Sequence, residues 1–253
     1  MVADARSCVA AYDDAWSSRD EAPAWAQHGR PCTIPRLVAS ALLALPEQPA
    51  IITGAMDAWP SFARWQNRTA FLVEHGDAFV HPADLHGALQ AQFGPHPEQG
   101  ARQRLRDFVV EAGVPTHCFE HGRRRAQREV MQQQQHAASA VTEGAGEWPL
   151  PPRTIGFDPI RFLSLGADGV GLPMHAHGAT WLALLVGRKA WFLYPPDALP
   201  TRAHATIGVA ALRTWRERRL LEGLRVEERP MVCMQSAGEV LWLPSAWRHA
   251  TLN

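Results

Sequence analysis

The chain of 253 residues has almost no lysine: only Lys189 is lysine, and the other 25 − 1 = 24 basic residues are arginine. It also lacks net charge at pH 7, so no global field favours nucleic acid or an acidic membrane surface as a partner. No apolar run approaches the roughly 20 residues that a membrane span needs. The first residues carry charges where a secretory signal has its apolar core, so we predict no signal peptide.

Cysteine is scarce as well, with four widely spaced residues and no Cys-x-x-Cys pair. This pattern excludes a zinc finger or a thioredoxin-type site. Cys32 and Cys233 could form one disulfide in an oxidising compartment, but two buried thiols are the favoured interpretation. The length suits one domain with elaborations, and 46% hydrophobic with 20% charged residues is typical of a globular protein.

Two segments have no periodic pattern. Residues 1–30 are predicted to be a partly ordered arm. Residues 121–147 contain runs of arginine and glutamine and are predicted to be a flexible insertion. A nucleic-acid patch is disfavoured there because no aromatic residues interleave the arginines. Elsewhere in the first half, the patterns predict helices at 37–45, 69–75 and 102–112 and a strand at 49–54.

From residue 153 onward, short apolar runs alternate with glycine and proline, which predicts a barrel or jelly roll. The predicted strands are 159–165, 171–177, 180–186, 189–194, 230–235, 240–243 and 247–252. A helix is predicted at 209–221, between barrel strands. Because a jelly roll should continue through a closing strand, we expect an unpaired sheet edge and a truncated C-terminus.

The candidate metal ligands are the histidines of a His-Ala-His motif at residues 175–177 and His249. His249 follows the motif 249 − 177 = 72 residues later. Histidines at i and i+2 project from the same face of a strand. Gly178 follows at once, and such strand ends present ligands at the mouth of a barrel. If His249 meets His175 and His177, the three imidazoles form a metal site. If it does not, the motif says little about function.

The surrounding motifs resemble the jumonji-C (JmjC), cupin-like family, and within it the JmjC domain-containing protein 8 group. The similar motifs are His-x-His-Gly at 175–178, Gly-Arg-Lys-Ala-Trp-Phe-Leu-Tyr-Pro-Pro at 187–196, Gly-Glu-Val-Leu-Trp-Leu-Pro at 238–244 and Trp-Arg-His-Ala-Thr-Leu-Asn at 247–253. The resemblance implies one domain over residues 31–253. Its fold would be mainly β, a double-stranded β-helix (jelly roll, cupin-like) with its core at 153–253, an N-terminal α/β elaboration and a helical insertion between barrel strands.

By position, the resemblance implies that His175 and His249 are ligands of Fe(II), and His177 stands where active relatives carry a carboxylate. Three histidines also suit Zn(II). Lys189 matches the residue that pairs with the distal carboxylate of 2-oxoglutarate, and Thr180 could add a hydroxyl hydrogen bond. The only lysine fits this position because lysine and arginine are nearly interchangeable on a surface but differ inside a pocket.

The implied function is an Fe(II)- and 2-oxoglutarate-dependent oxygenase of the protein hydroxylase or demethylase type, acting on a protein substrate. The alternatives are a catalytically inactive scaffold that binds partner proteins, and a zinc or iron enzyme without 2-oxoglutarate. The similar group resides in the endoplasmic reticulum lumen, and Asn67-Arg68-Thr69 fits a glycosylation acceptor. Without a signal peptide, the cytoplasm is the alternative location.

Overall fold

The computed structural model describes residues 29–80, 103–107, 130–132, 163–165, 174–198 and 223–253. The strands in these ranges are β1 Arg36–Val38, β2 Ala50–Thr53, β3 Phe79–Val80, β4 Gln103–Arg104, β5 Val130–Gln132, β6 Leu163–Leu165, β7 Thr180–Ala183, β8 Arg188–Tyr194, β9 Met231–Ser236, β10 Val240–Leu243 and β11 Arg248–Leu252, and the helices are α1 Pro60–Trp65 and α2 Arg68–His75. The chain divides into two compact units. We call the unit with described residues 29–62, 174–198 and 223–253 the barrel unit, and the other the second unit.

The barrel unit contains two sheets. One has the strand order β1-β2-β10-β7 and the other β11-β8-β9. All neighbouring strands are antiparallel except β1 and β2, which are parallel. A buried cluster draws Ile51 and Leu241 from the first sheet and Trp191, Leu193 and Cys233 from the second. The hydrophobic core therefore lies between the two sheets, as in a jelly roll.

The opposite face of the first sheet is also covered. Ile52 and Val240 pair across β2 and β10 and pack with Met56 and Trp59, which follow β2. Because side chains alternate along a strand, the near-continuous apolar sequence of β2 suits a strand that is buried on both faces. The mainly β, cupin-like fold predicted from the sequence is confirmed.

The first predicted helix, at residues 37–45, is wrong. Its start forms β1, where Arg36 pairs with Ile51 and Val38 with Thr53, and a short 3-10 turn follows at Ala39–Ala41. Nine residues are too few for a helix that is stable by itself. Pairing with β2 therefore decides the conformation of the segment, and residues before 153 contribute two strands to the barrel unit.

The second unit holds α2 and two small sheets, β3–β4 and β5–β6. The helix predicted at 69–75 is confirmed as α2, which Asn67 caps by accepting a hydrogen bond from the Ala70 amide. The helix predicted at 102–112 is wrong at Gln103–Arg104, which form β4 and pair with β3. It is confirmed at residues 105–107, which are helical.

Several sequence predictions fall mostly outside the described residues. Within the insertion predicted at 121–147, residues 130–132 form β5 and pair with β6; the flexible insertion itself stays a prediction. The rest of the insertion, residues 1–28 of the predicted arm and the helix predicted at 209–221 lie outside the described ranges. In the described part of the chain, no helix has the length and apolar character to cross a bilayer.

Cys32 and Cys233 form a disulfide, so the interpretation as two buried thiols is wrong. Cys233 lies in the core on β9, and the segment around Cys32 lies beside that strand. Arg30 forms a parallel bridge with Met231, and the Thr33 hydroxyl donates to the Met231 sulfur at 3.2 Å. The pairing spans 201 residues, so only the tertiary fold brings the two cysteines together.

Candidate metal centre

Direct backbone pairing brings the His-x-His motif to the third histidine. The His175 amide donates to the His249 carbonyl at 2.9 Å, and the His249 amide donates to the His175 carbonyl at 2.8 Å. One residue pair therefore holds the segment before β7 against β11. The Ala246 amide extends this pairing by donating to the His177 carbonyl at 3.0 Å. Ala246 has φ 66°, a left-handed conformation that is strained for a residue with a side chain.

The three imidazole rings converge on one point. Their centroids lie 4.2 Å apart for His175 and His249, 4.8 Å for His177 and His249, and 5.3 Å for His175 and His177. One nitrogen from each ring lies within 4.8 Å of the others. Nitrogens about 2.1 Å from a shared metal would be about 3 to 3.5 Å apart. The span of 4.8 Å is wider than this, so the rings would have to turn towards one another to coordinate one metal.

In two of the rings, the Nδ1 nitrogen is hydrogen-bonded to a backbone carbonyl. His177 Nδ1 lies 2.7 Å from the Gly178 carbonyl, and His249 Nδ1 lies 3.0 Å from the Trp247 carbonyl. A carbonyl only accepts, so each Nδ1 carries the proton and each Nε2 keeps its lone pair. Such a second hydrogen bond orients a metal-ligating imidazole and raises its basicity.

His249 is held in the neutral form, which is the form that binds metals. Burial lowers its pKa to about 3, and the nearby charges of His175 and His177 act in the same direction. The hydrogen bond to the Trp247 carbonyl opposes this shift. The ring is only 3% exposed, so at neutral pH it carries no proton that a metal would have to displace.

The described part of the cluster contains no carboxylate. Glu239 is engaged elsewhere: one carboxylate oxygen accepts from the Ser236 amide at 2.8 Å, and the other pairs with Arg36. Asp168 lies outside the described residues. The cluster is therefore three imidazoles, and a divalent metal there keeps one more positive charge than in a site of two histidines and one carboxylate.

Lys189 lies on the same inward face of β8 as Trp191 and Leu193, because side chains alternate along a strand. It is 5% exposed, and its Nζ donates to Asn253 Oδ1 at 2.5 Å. Trp191 lies between the lysine and the histidines, with its ring 5.7 Å from that of His249. The interior thus carries a cluster of imidazoles towards one end of β8 and an ammonium towards the other.

Thr180 is the first residue of β7, at the edge of the other sheet. It shares the face of Leu182, which packs on the core between the sheets. This placement is compatible with the predicted role, and a hydrogen bond from its hydroxyl to a ligand stays a prediction.

Sequence reasoning missed two polar residues, one fully buried and one partly buried. Gln235 is fully buried on β9, where its oxygen accepts from Trp191 Nε1 at 2.9 Å. Asn253 contacts Lys189, as described above. The alternation of side chains along a strand could have indicated both residues. Gln235 shares an inward face with Cys233, and Asn253 lies four residues after His249.

A jelly roll that holds three convergent imidazoles and a buried ammonium between its sheets belongs to the class of cupin-like β-proteins. The family model described as "Cupin-like domain" matches residues 36–251. This chain is therefore a member of the cupin-like JmjC family, as its motifs indicated.

Similar proteins fall within this family. JmjC domain-containing protein 8 of Mus musculus is 37% identical over 105 residues, which cover 42% of this chain and 37% of that protein. A 2-oxoglutarate and iron-dependent oxygenase of Danio rerio is 30% identical over 106 residues, 40% of this chain and 25% of that protein. An arginine-specific demethylase of Arabidopsis thaliana is 23% identical over 226 residues, 82% of this chain and 40% of that protein.

The chain thus spans well under half the length of these relatives. The match still places it in a family that includes iron- and 2-oxoglutarate-dependent oxygenases.

Proposed function

We propose that this protein is an Fe(II)- and 2-oxoglutarate-dependent oxygenase. His175, His177 and His249 would hold the iron, Lys189 would anchor 2-oxoglutarate, and Thr180 would add a hydroxyl hydrogen bond to the same carboxylate. The observation that carries the proposal is the convergence of three ring nitrogens within 4.8 Å, two rings of which have Nδ1 committed to the backbone.

The charges support a dianionic cosubstrate. A divalent metal bound by three neutral imidazoles keeps its full charge, and the buried Lys189 ammonium adds another on the same inward face. A 2-oxo dicarboxylate carries one anionic group for each of these cations. Three protein ligands also leave positions open on a six-coordinate iron, which together with 2-oxoglutarate would supply the oxidising chemistry.

Protein side chains are the proposed substrates. The support is that relatives are named as an arginine-specific demethylase and as a lysine-specific demethylase of Arabidopsis thaliana. Conversion of 2-oxoglutarate to succinate should therefore rise when peptides with arginine or lysine are added. A panel of such peptides that leaves the background rate unchanged would count against this substrate class.

A Zn(II) enzyme is the second candidate, because three histidines with an open fourth position are also a catalytic zinc ligand set. It is the less favoured one, because a zinc hydrolase gives the buried Lys189 no role. A third possibility is a catalytically inactive scaffold that acts through partner proteins.

Anaerobic titration with Fe(II) and 2-oxoglutarate distinguishes these candidates. The proposal expects one iron per chain and a visible charge-transfer band on adding 2-oxoglutarate. Lys189→Met should weaken 2-oxoglutarate binding about ten- to hundredfold, because it removes a charged hydrogen-bond donor. Arg188→Met is the matched control, since Arg188 lies on the opposite face of β8. Metal uptake without the band would favour zinc chemistry or the scaffold, and no stoichiometric metal would refute both enzymes.

We propose the endoplasmic reticulum lumen as the location. The Cys32–Cys233 disulfide supports an oxidising compartment, and Asn67 of the acceptor tripeptide is exposed. Alkylation of the protein in its own cells, followed by mass spectrometry, should find these two cysteines oxidised. Free thiols at both positions would instead favour a reducing compartment.

A further inference from the structure

The segment that carries His177 is held by the turn before β11. The Ala246 amide donates to the His177 carbonyl at 3.0 Å, and the Ala179 amide donates to Ser245 Oγ at 3.0 Å. Ser245 is exposed, so its hydroxyl contacts the histidine segment at the surface and not in the core. The two hydrogen bonds join this segment to the chain just before His249.

The Ser245 contact acts on a peptide group that also contacts the His177 ring. The Gly178 carbonyl and the Ala179 N–H belong to one peptide group, which is planar and trans. The two groups therefore point in opposite directions. The N–H donates to Ser245 Oγ on one side, and the carbonyl accepts from His177 Nδ1 at 2.7 Å on the other. Fixing the N–H thus fixes the direction of the carbonyl that orients the imidazole.

Packing does little to hold this peptide group. Among the described residues, a Cβ added to Gly178 would meet no atom within 4 Å apart from its chain neighbours, and Ala179 is exposed. Glycine also has the widest choice of backbone angles. Hydrogen bonds must therefore select the orientation of the plane, and Ser245 makes one of them.

The backbone of the turn is strained next to this serine. Ala246 has φ 66°, a left-handed conformation that costs free energy for a residue with a Cβ and persists where surrounding contacts enforce it. The Ala246 amide and the neighbouring Ser245 hydroxyl both bond the histidine segment. His175 and His249, in contrast, hold each other through two backbone hydrogen bonds. A side chain of the turn is thus linked to the orientation of His177.

We propose that Ser245 is a positioning residue of the metal centre, and that it orients the His177 imidazole through the peptide group between Gly178 and Ala179. This inference rests on the metal site of the proposed function and is independent of 2-oxoglutarate. An amide whose N–H is hydrogen-bonded has a more strongly accepting carbonyl. Such a carbonyl raises the basicity of the imidazole that donates to it, and with it the affinity for a metal.

A double-mutant cycle in the full chain tests this role, with Co(II) as the metal because its visible bands report binding directly. We expect Ser245→Ala to weaken Co(II) binding about three- to tenfold. This is less than the roughly 10- to 100-fold typical of a direct partner of a ligand, because water can partly replace an exposed hydroxyl. In a His177→Ala background the same change should alter the affinity less than about twofold, since the ring that Ser245 orients is gone.

Two further variants separate positioning from damage to the turn. Ser245→Thr keeps a hydroxyl and should restore most of the affinity. Ser40→Ala is the matched control, because Ser40 is exposed and lies outside the turn. Equal melting temperatures of the metal-free variants would show that the fold is intact.

The ring itself provides a readout that a general loss of stability would not move. Paramagnetic Co(II) shifts the imidazole N–H protons of its ligands away from the other proton resonances, and His177→Ala identifies the signal of His177. In Ser245→Ala this proton should exchange with water faster. The His249 proton should not change, because that ring is 3% exposed and bonds the Trp247 carbonyl.

Unchanged affinity and exchange in Ser245→Ala would overturn the assignment, and so would an equal loss of affinity with and without His177. If the unmodified chain took up no Co(II), the proposed metal centre would fall and this inference with it. If the chain bound Co(II) and the cycle showed the coupling, but 2-oxoglutarate did not bind, the proposed function would fall and the role of Ser245 would stand.

Discussion

Replacing Gln235 by methionine should destabilise the protein strongly. Gln235 has no exposed surface, and its amide makes three hydrogen bonds. Its oxygen accepts from Trp191 Nε1 at 2.9 Å, and its nitrogen donates to the carbonyls of Leu182 at 2.9 Å and Glu239 at 2.8 Å. These contacts join β9 to β8, to β7 in the other sheet and to the β9–β10 turn. Methionine keeps the length of the side chain and removes all three bonds.

The magnitude follows from the groups that lose their partner. Each buried polar group left without a hydrogen bond costs about 1 to 3 kcal/mol. The indole of Trp191 has one N–H, and the change removes the acceptor of that N–H. Each carbonyl keeps a second lone pair, so the cost for each carbonyl lies at the low end of this range. The sum is about 3 to 5 kcal/mol, a large part of the roughly 5 to 15 kcal/mol by which a domain is stable.

Urea denaturation followed by circular dichroism, with the disulfide intact, would measure this loss. Gln48→Met is the matched control, because Gln48 is exposed and the same change should stay within about 0.5 kcal/mol there. Combining Gln235→Met with Trp191→Phe should cost less than the sum of the single changes, because both remove one shared bond. A loss under about 1 kcal/mol for Gln235→Met would refute a structural role for the amide.

Two further predictions concern the disulfide and acid stability. Cys32→Ser should lower the free energy of unfolding by up to about 5 kcal/mol, because the disulfide closes a loop of 201 residues. Denaturation with and without reductant measures this loss. Equal stabilities under the two conditions would contradict the prediction. The metal-free protein should lose stability as the pH falls from 6.5 towards 3. The unfolded chain protonates His249 in that window while burial keeps the folded ring neutral, a loss of about 1.4 kcal/mol per pH unit. Denaturation at pH 7 and pH 5 should show it, and His249→Gln should flatten the slope.

Part of the fold could be predicted from the sequence because strand patterns and turn residues are local. The hairpin between β9 and β10 turns at Gly238, whose φ of 88° suits glycine, and this residue lies between the predicted strands 230–235 and 240–243. The segment at residues 37–45 shows the limit. Its apolar residues fit a short helix as well as a strand, and hydrogen bonds to β2, which lies later in the chain, decided for the strand.

The sequence alone determined the candidate site residues. A His-x-His pair at a strand end, a third histidine in a similar motif and a single lysine among arginines are visible without coordinates. Their chemistry follows from residue type: imidazoles bind transition metals, and a buried ammonium binds an anion.

Only the tertiary structure decided how these residues meet. Whether His249 faces His175 depends on the register of segments 74 residues apart in sequence (249 − 175 = 74), and a slip of one residue would turn it to the other face. The partners of Lys189 and Cys32 come from the far end of the chain for the same reason. Local patterns specify the face of each strand, whereas the packing of the two sheets specifies which faces share an interior.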